Sequence, residues 1–310
     1  MVKKIKIFNN FKITKNFKNS LILIGNFDGL HSGHQKLFKE AQKYKNKFKI
    51  KIGVVTFDPI PKMFFNKEIK NYRISNFNQK VSYLNKFGVD FLINKTFNKK
   101  FSKIKSTDFI KKIIYQKLDA KYIFVSNNFR FGYRREGDVN LLKKYQYIFG
   151  YKLIKPNPLK KNKKIISSTY IRKLLEDGNL NEANKYLTRN WTIEGVVEKG
   201  RMMGKKIGFP TCNINIGNYV IAKPGVYAVR TLINKNKKVY KGIANLGYRP
   251  TFKQKKILLE VNLFNFSGNL YNKKLSVEFI RFIRGEKKFN GIAQLRNQIK
   301  RDILKAKNIK

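Results

Sequence analysis

A length of 310 residues, a net charge of +51, one cysteine and two histidines set the first bounds. The length suits two domains with separate cores, the single cysteine excludes an internal disulfide and fits a reducing cytoplasm, and no run of 18 apolar residues offers a membrane span. The charge invites a nucleic-acid reading, but of the 69 basic residues 13 are arginine and 56 lysine, in a chain also rich in Asn, Ile, Phe and Tyr. All of these have A/T-rich codons, so the charge reads as mutational drift spread along the chain. It predicts weak, non-specific nucleic-acid binding at low salt and no specific nucleic-acid partner. Where lysine is the default cation, a retained arginine suggests a need for its planar fork. Arg172, Arg201, Arg249, Arg281 and Arg284 lie in or beside motif-like segments.

In chain order, the N-terminal run MVKKIKIFNNFKITKNF is basic but has no continuous apolar core or small-residue cleavage site, unlike a signal peptide. Leu21 to Ile24 is an apolar run fit for a buried strand. Gly25, Asn26, Asp28 and Gly29 are loop formers. From Gln35 the pattern turns helical, with Leu37, Phe38 and Ala41 on one face. KIKIGVVTFDP predicts a second buried strand, NFNQKVSYLNKFG a helix closed by Gly88, and VDFLINK a strand. STDFIKKIIYQKLDA predicts a helix capped by Ser106 or Thr107. KYIFVSNNF is a strand running into a loop, DVNLLKKYQYIFG a helix, and YKLIKP a short strand. Strands alternating with helices predict an α/β, Rossmann-like domain with a parallel sheet. Ligands of such sheets bind at the carboxyl ends of the strands, where the loop after residues 21–24 and the loop at 126–138 both fall. IISSTYIRKLLEDGNLNEA then starts a helix at a Ser/Thr cluster. That cluster is an N-cap and, with Arg172 one turn inside the helix, a candidate phosphate site.

Both histidines sit in LILIGNFDGLHSGHQ, at the passage from strand to helix. A metal pair needs further ligands, and only Asp28 and Glu40 are near in sequence, which argues against zinc or iron. A helix N-terminus offers free N–H groups and positive potential to phosphate, and glycines let a phosphorylated ligand approach the backbone. Two imidazoles there can donate hydrogen bonds to phosphate oxygens.

Near residue 187 the pattern changes. WTIEGVVEKG, GVYAVRTLI, KVYKGIANLG, KILLEVNLFNF and KLSVEFIRFIRG are short β runs, and GIAQLRNQIKRDILKA is a closing helix. They predict a small antiparallel barrel with a terminal helix, the junction falling between residues 187 and 190. Gly200, Gly204 and Gly208 recur every four residues in a basic segment, either a plain loop or a cradle for phosphates. Thr211 and Asn213 alternate on an extended stretch, so their oxygens face one way and suit Mg²⁺, or simply form a polar strand face. Glu260 sits in the apolar run ILLEVNLFNF. It either faces solvent by alternation or serves as a proton acceptor.

The run Gly25–Asn26–Phe27–Asp28–Gly29–Leu30–His31–Ser32–Gly33–His34 resembles the nucleotidyltransferase signature G-x-F-D-x-x-H-x-G-H. With VVTFDPIP, NFRFGYRREGD and ISSTYIRKLLEDGNLNEA in this order, the first half resembles the FMN adenylyltransferase module of prokaryotic bifunctional riboflavin kinase/FAD synthetases. GFPTCN, PGVYAV, GIANLGYRPTF, LLEVNL and RGEKKF resemble their riboflavin kinase module. The resemblance implies an adenylyltransferase domain over residues 1–187 and a kinase domain over 188–310. His31 and His34 would be catalytic on ATP phosphates, with Gly25, Phe27, Asp28, Gly33, Ser168, Thr169 and Arg172 binding ATP, and Asn128 and Phe131 bordering the flavin. In the kinase half, Gly200, Gly204 and Lys205 would hold ATP, Thr211 and Asn213 Mg²⁺, and Glu260 would activate the riboflavin 5′-hydroxyl. The implied substrates are riboflavin, FMN and ATP, with Mg²⁺ as cofactor, no membrane partner and a cytoplasmic location. Six residues depart from the family pattern: Ile60, Ser126, Ile165, Lys205, Cys212 and Asn265, Cys212 replacing a small apolar residue. Ile165 stands where an Arg is usual, which implies looser ATP binding unless Lys163 or Lys164 substitutes. A different nucleotidyltransferase fused to a binding barrel is the competing enzyme reading, and a basic nucleic-acid-binding descendant the non-enzyme one. The second predicts decayed motifs, and here the motifs are the least decayed part of the chain.

Overall fold

The computed structural model describes residues 4–161, 164–200, 203–234, 238–250 and 255–309. The chain forms two compact units, one of Met1–Lys70 with Phe77–Ser167, the other of Asn71–Asn76 with Ser168–Lys310.

The first unit is built on strands β1 (Lys6–Phe8), β2 (Ser20–Ile24), β3 (Ile52–Asp58), β4 (Phe91–Thr96), β5 (Ala120–Phe124) and β6 (Lys152–Ile154). They pair in parallel throughout, in the order β1-β4-β3-β2-β5-β6. The apolar runs are continuous because both faces are covered. On β2, Leu21 and Leu23 enter one core with Phe38 and Leu84, while Ile22 and Ile24 enter another with Ile110, Ile113 and Leu142. The helices are α1 (Ser32–Phe48), α2 (Pro61–Phe65), α3 (Phe77–Lys86), α4 (Lys99–Ser102), α5 (Ser106–Asp108) and α6 (Val139–Phe149). A two-stranded hairpin, β7 (Lys160–Lys161) with β8 (Lys164–Ile165), follows. The doubly wound layout expected from the sequence is present, with local corrections. Helix α1 starts at Ser32, so Gly33 and His34 lie in its first turn rather than before it. Neither Ser106 nor Thr107 caps α5. The cap position is Lys105, and the Ser106 N–H donates to Glu136 Oε1 at 2.8 Å. Beyond α5 the chain continues as a π-helical stretch, Phe109–Lys117. Helix α6 is capped as its sequence suggests, Asp138 accepting from Leu141 N and Gly150 closing at φ +69°.

The second unit holds helices α7 (Ser168–Glu176) and α8 (Leu180–Leu187), split at Gly178 with φ +81°. Its strands are β9 (Trp191–Glu198), β10 (Cys212–Asn215), β11 (Gly225–Ile233), β12 (Val239–Pro250), β13 (Lys255–Leu263) and β14 (Lys274–Gly285), with α9 (Met203–Lys206) between β9 and β10 and α10 (Ile292–Lys307) at the end. They close an antiparallel barrel in the order β10-β13-β12-β11-β14-β9. The alternation that made β14 legible fills the interior: Leu275, Val277 and Phe279 are all fully buried, each worth about 1.5–3 kcal/mol of transfer free energy. Phe279 packs between Trp191 and Tyr227. Trp191 is anchored at both ends. Its N–H donates to Asn184 Oδ1 on α8 at 2.8 Å, and its indole N–H to Ile74 O at 3.0 Å. Helices α7 and α8 therefore belong to the barrel's unit, although they precede the junction expected near residue 187.

Candidate active sites

In the first sheet the chain order runs outward from β2 through β3 to β4 on one side, and through β5 to β6 on the other. The carboxyl ends of β2 and β5 thus flank the switch point where doubly wound sheets bind ligands. The loop after β2 is held firmly there. Gly25 N–H donates to Val55 O at 3.0 Å. Phe27 adopts φ +46° and opens a single 3-10 turn, Asp28–Leu30, with Gly29 at φ +77°. His31 then leads into the 17-residue helix α1. The His31 and His34 rings stack, centroids 3.8 Å apart and planes at 24°. His31 is 3% exposed, and Phe27 makes T-shaped contacts with both His34 and Phe38. A Cβ on Gly33 would lie 3.0 Å from Ile166 O and 3.1 Å from the His31 ring, so glycine lets the ring sit close to the helix. Two buried polar atoms here, Asn26 Oδ1 and Ser32 Oγ, have no hydrogen-bond partner among the described residues. Such atoms are rare unless a ligand or water meets them. Asp28 is buried in the same turn.

The loop at 126–138 closes on itself through reciprocal backbone bonds of Phe131 and Gly137. Ser126 Oγ donates to the exposed Asn128 at 2.9 Å. Phe131 is buried against Phe109, and Phe129 stacks on it at 18° while remaining half-buried. The more accessible ring of the pair is therefore Phe129 rather than Phe131. Aromatic spacing alone does not say which ring of N-F-R-F is the inner one.

Ser168 and Thr169 open α7, the first half-buried and the second exposed. Arg172 is 6% exposed. Its guanidinium carbon lies 3.6 Å from the centre of the Tyr72 ring, and its Nε donates to Tyr72 O at 2.6 Å. That stacked, bonded geometry is one lysine cannot reproduce. Ile165 is exposed, and Lys163 lies outside the described residues.

In the barrel, strand register sets Asn213, Glu260 and Asn245 side by side across β10, β13 and β12. A cavity of about 380 Å³ is lined by Thr211, Asn245, Glu260, Asn262, Arg284 and Phe289 among others. Asn213 is 8% exposed and its Oδ1 has no hydrogen-bond partner among the described residues. The recurring glycines have a specific use. A Cβ on Gly200 would fall 1.6 Å from Asn213 Nδ2, and one on Gly204 would fall 3.0 Å from Thr211 Oγ1 and 2.4 Å from Phe209 O. Each glycine thus leaves room for one oxygen-bearing side chain. The Lys205 side chain and Arg201 lie outside the described residues. Asn262 Nδ2 donates to Pro210 O at 2.7 Å, tying the Glu260 strand to the segment that carries Thr211. Arg284 is fixed by Asp302 through Nε and a terminal nitrogen, at 2.8 and 2.7 Å, with Gln298 on the second Asp302 oxygen. Arg281 is exposed. Burial pushes the Cys212 thiol up from 9 to about 11, so it is protonated and a poor nucleophile at neutral pH. Asn265 takes φ +54° just past β13, a conformation asparagine tolerates well.

A phosphate-type loop at the switch point of a parallel sheet, and a closed barrel presenting Thr, Asn and Glu to one cavity, define a two-domain transferase of phosphorus-containing groups. The FAD synthetase family matches residues 13–170 and the riboflavin kinase family residues 187–310. The chain is 40% identical to a bifunctional riboflavin kinase/FMN adenylyltransferase of Buchnera aphidicola subsp. Acyrthosiphon pisum, over 92% of both chains. It is 34% identical to the protein of the same name in Escherichia coli K12, over 93% of this chain and 91% of that one. A crystal structure from Streptococcus pneumoniae, described as a macrolide-efflux protein, superposes with a TM-score of 0.85 at 30% identity, covering 98% of this chain and 99% of its own. The chain belongs to the bifunctional riboflavin kinase/FMN adenylyltransferase family, with a FAD synthetase domain followed by a riboflavin kinase domain. The word efflux finds no counterpart in its helices, since none among the described residues is long and apolar enough to cross a membrane.

Proposed function

We propose that the chain converts riboflavin to FMN in its barrel and FMN to FAD at its parallel sheet, with ATP as the second substrate of both reactions. The observation that carries this reading is the buried, unpartnered Asn213 Oδ1, in register with Glu260 and cleared of any Cβ by Gly200. In the first reaction the Glu260 carboxylate takes the proton of the riboflavin 5′-hydroxyl. That oxygen bonds to the γ-phosphorus of ATP, and ADP leaves. Thr211 and Asn213 supply the hard oxygen donors that suit Mg²⁺, and the bound ion would neutralise phosphate charge. Gly200, Gly204 and Lys205 carry the ATP side of the site, and Asn262 keeps the Thr211 segment against the Glu260 strand.

In the second reaction a phosphate oxygen of FMN bonds to the α-phosphorus of ATP and pyrophosphate leaves. The nucleophile is already anionic, so the step needs alignment and charge stabilisation rather than a strong base. The stacked His31 and His34 and the first turn of α1 meet that need, with Gly25, Phe27, Asp28 and Gly33 shaping the loop. Ser168, Thr169 and Arg172 bind ATP phosphate by the family motif. Asn128 borders the flavin, with Phe131 buttressing Phe129 as the stacking ring. The functional division is 1–187 and 188–310, the location cytoplasmic, and nucleic-acid binding weak and salt-sensitive. Purified protein given riboflavin, ATP and Mg²⁺ should yield both FMN and FAD on chromatographic separation. A product profile lacking both would refute the reading.

A further inference from the structure

In a chain of 56 lysines, one alone is buried among the described residues: Lys80, 2% exposed. It lies on the core face of α3, one turn before the fully buried Leu84. Packing does not ask for it. Leucine or methionine would fill the position without removing an ammonium from water, which is costly even when the charge is paired. Among its contacts the ammonium meets a specific hydroxyl. Lys80 Nζ lies 3.2 Å from Thr56 Oγ1, and that hydroxyl lies 3.3 Å from Asn26 O. Thr56 is itself fully buried near the carboxyl end of β3.

The direction of this relay is forced. An ammonium only donates, so the Thr56 oxygen accepts from it and turns its single proton to the Asn26 carbonyl. A charged donor strengthens the next bond in such a chain. Asn26 is the second residue of the loop that leads to His31. The loop is thus held at two successive residues, Gly25 by the Val55 carbonyl and Asn26 by the relay. Beyond Asn26 the backbone has little slack, with Phe27 and Gly29 both at positive φ and the Asp28–Leu30 turn closed. Helix α3 also packs directly against that turn. Movement at Asn26 would therefore pass to the histidines.

We infer that Lys80 is a positioning residue for adenylyl transfer, fixing through the Thr56 hydroxyl the backbone that presents His31 and His34 to the triphosphate. This rests on the reading of that loop as the FAD-forming site. The test uses the full-length protein with Lys80→Met, Thr56→Val and Thr56→Ser, assaying FAD formation from supplied FMN and, in the same preparations, riboflavin phosphorylation. Lys80→Met and Thr56→Val should each lower kcat for FAD formation on the order of 10²-fold, the scale of a 1 Å misplacement. KM for ATP and FMN should stay within about threefold, since what the displaced loop chiefly weakens is the histidines' hold on the transition state. Thr56→Ser keeps the hydroxyl and should keep the rate, which a packing role would not predict. Riboflavin phosphorylation should be unchanged in all three. If Lys80→Met fails to fold, the Thr56 pair decides: a large Ser-against-Val difference in kcat supports the inference, and equal rates overturn it. FAD formation at wild-type kcat in both Lys80→Met and Thr56→Val also overturns it. Wild-type protein that makes FMN but no FAD would instead overturn the adenylylation reading beneath it.

Discussion

Gly200→Ala tests the kinase site through a single methyl group. The new Cβ would fall 1.6 Å from Asn213 Nδ2. Ordinary carbon contacts begin near 3.5 Å, so the amide must retreat by roughly 2 Å. The neighbour that moves is the end of a side chain, and Gly200 has no positive φ to strain. The fold should therefore lose only about 1 kcal/mol, the low end of overpacking costs. The proposed Mg²⁺ site should lose far more, because Mg²⁺ demands near-ideal geometry at about 2.1 Å. FMN formation should fall on the order of 10²-fold, the scale for a displaced catalytic group, and should need more Mg²⁺ to reach its plateau. The assay is the rate of FMN formation across a Mg²⁺ titration, with thermal unfolding and FAD formation from supplied FMN as controls. Unchanged FMN formation at every Mg²⁺ concentration, in a protein carrying the substitution and fully folded, would refute the ligand role of Asn213.

Glu260→Gln keeps the shape of the side chain and removes the proton acceptor. FMN formation should drop by roughly 10²–10⁴-fold while FAD formation from FMN persists, and equal losses in both would refute the base assignment. His31→Ala and His34→Ala should each cut FAD formation on the order of 10²–10³-fold, with riboflavin phosphorylation near normal. Their double mutant should fall short of the product of the single losses if the stacked pair acts as a unit; FAD formation unaffected by either single change would remove the phosphate role. A fragment of residues 168–310 should make FMN and stop there. A fragment of 188–310 should melt lower, because it loses the Asn184 bonds to Trp191 N and Phe279 O, each worth roughly 1 kcal/mol. A folded, flavin-binding 168–310 fragment with no FMN formation would sink the kinase assignment.

The readable elements were those whose environment is uniform along the strand or helix. Leu21 to Ile24 announced β2 because both its faces are buried, and β14 announced itself by alternation around Leu275, Val277 and Phe279. Strand β1 was illegible, since three residues, Lys6, Ile7 and Phe8, are too few to carry a period. The start of α1 was hidden because Ser32 and Gly33 are loop formers in the abstract and become helical only where the loop before them is pinned. Within the quoted runs, only some residues stood out as candidates. Asn245 in GIANLGYRPTF and Asn262 in LLEVNL did not, because strand register, which no local pattern reveals, sets Asn245 beside Glu260 and a long-range bond ties Asn262 to Pro210 O. Lys80 was camouflaged by composition, one lysine among many, and only burial sets it apart. The segment 71–76 was unreadable as part of the barrel's unit because its contacts, such as Ile74 O with the Trp191 indole, span more than a hundred residues.

The parallel sheet ends on β1 at one side and β6 at the other, three residues each, beginning with Lys6 and Lys152. An open sheet edge is a template for aggregation, and short strands bearing lysine are among the devices that blunt it. The barrel, being closed, presents no edge at all. Abundant lysine brings self-repulsion, but in the parallel sheet it also falls on the two outer strands, where chains would otherwise stick together. The prevalence of lysine is then less a burden on the folded protein than a form of colloidal insurance, one that a chain of the same fold with neutral edges would lack.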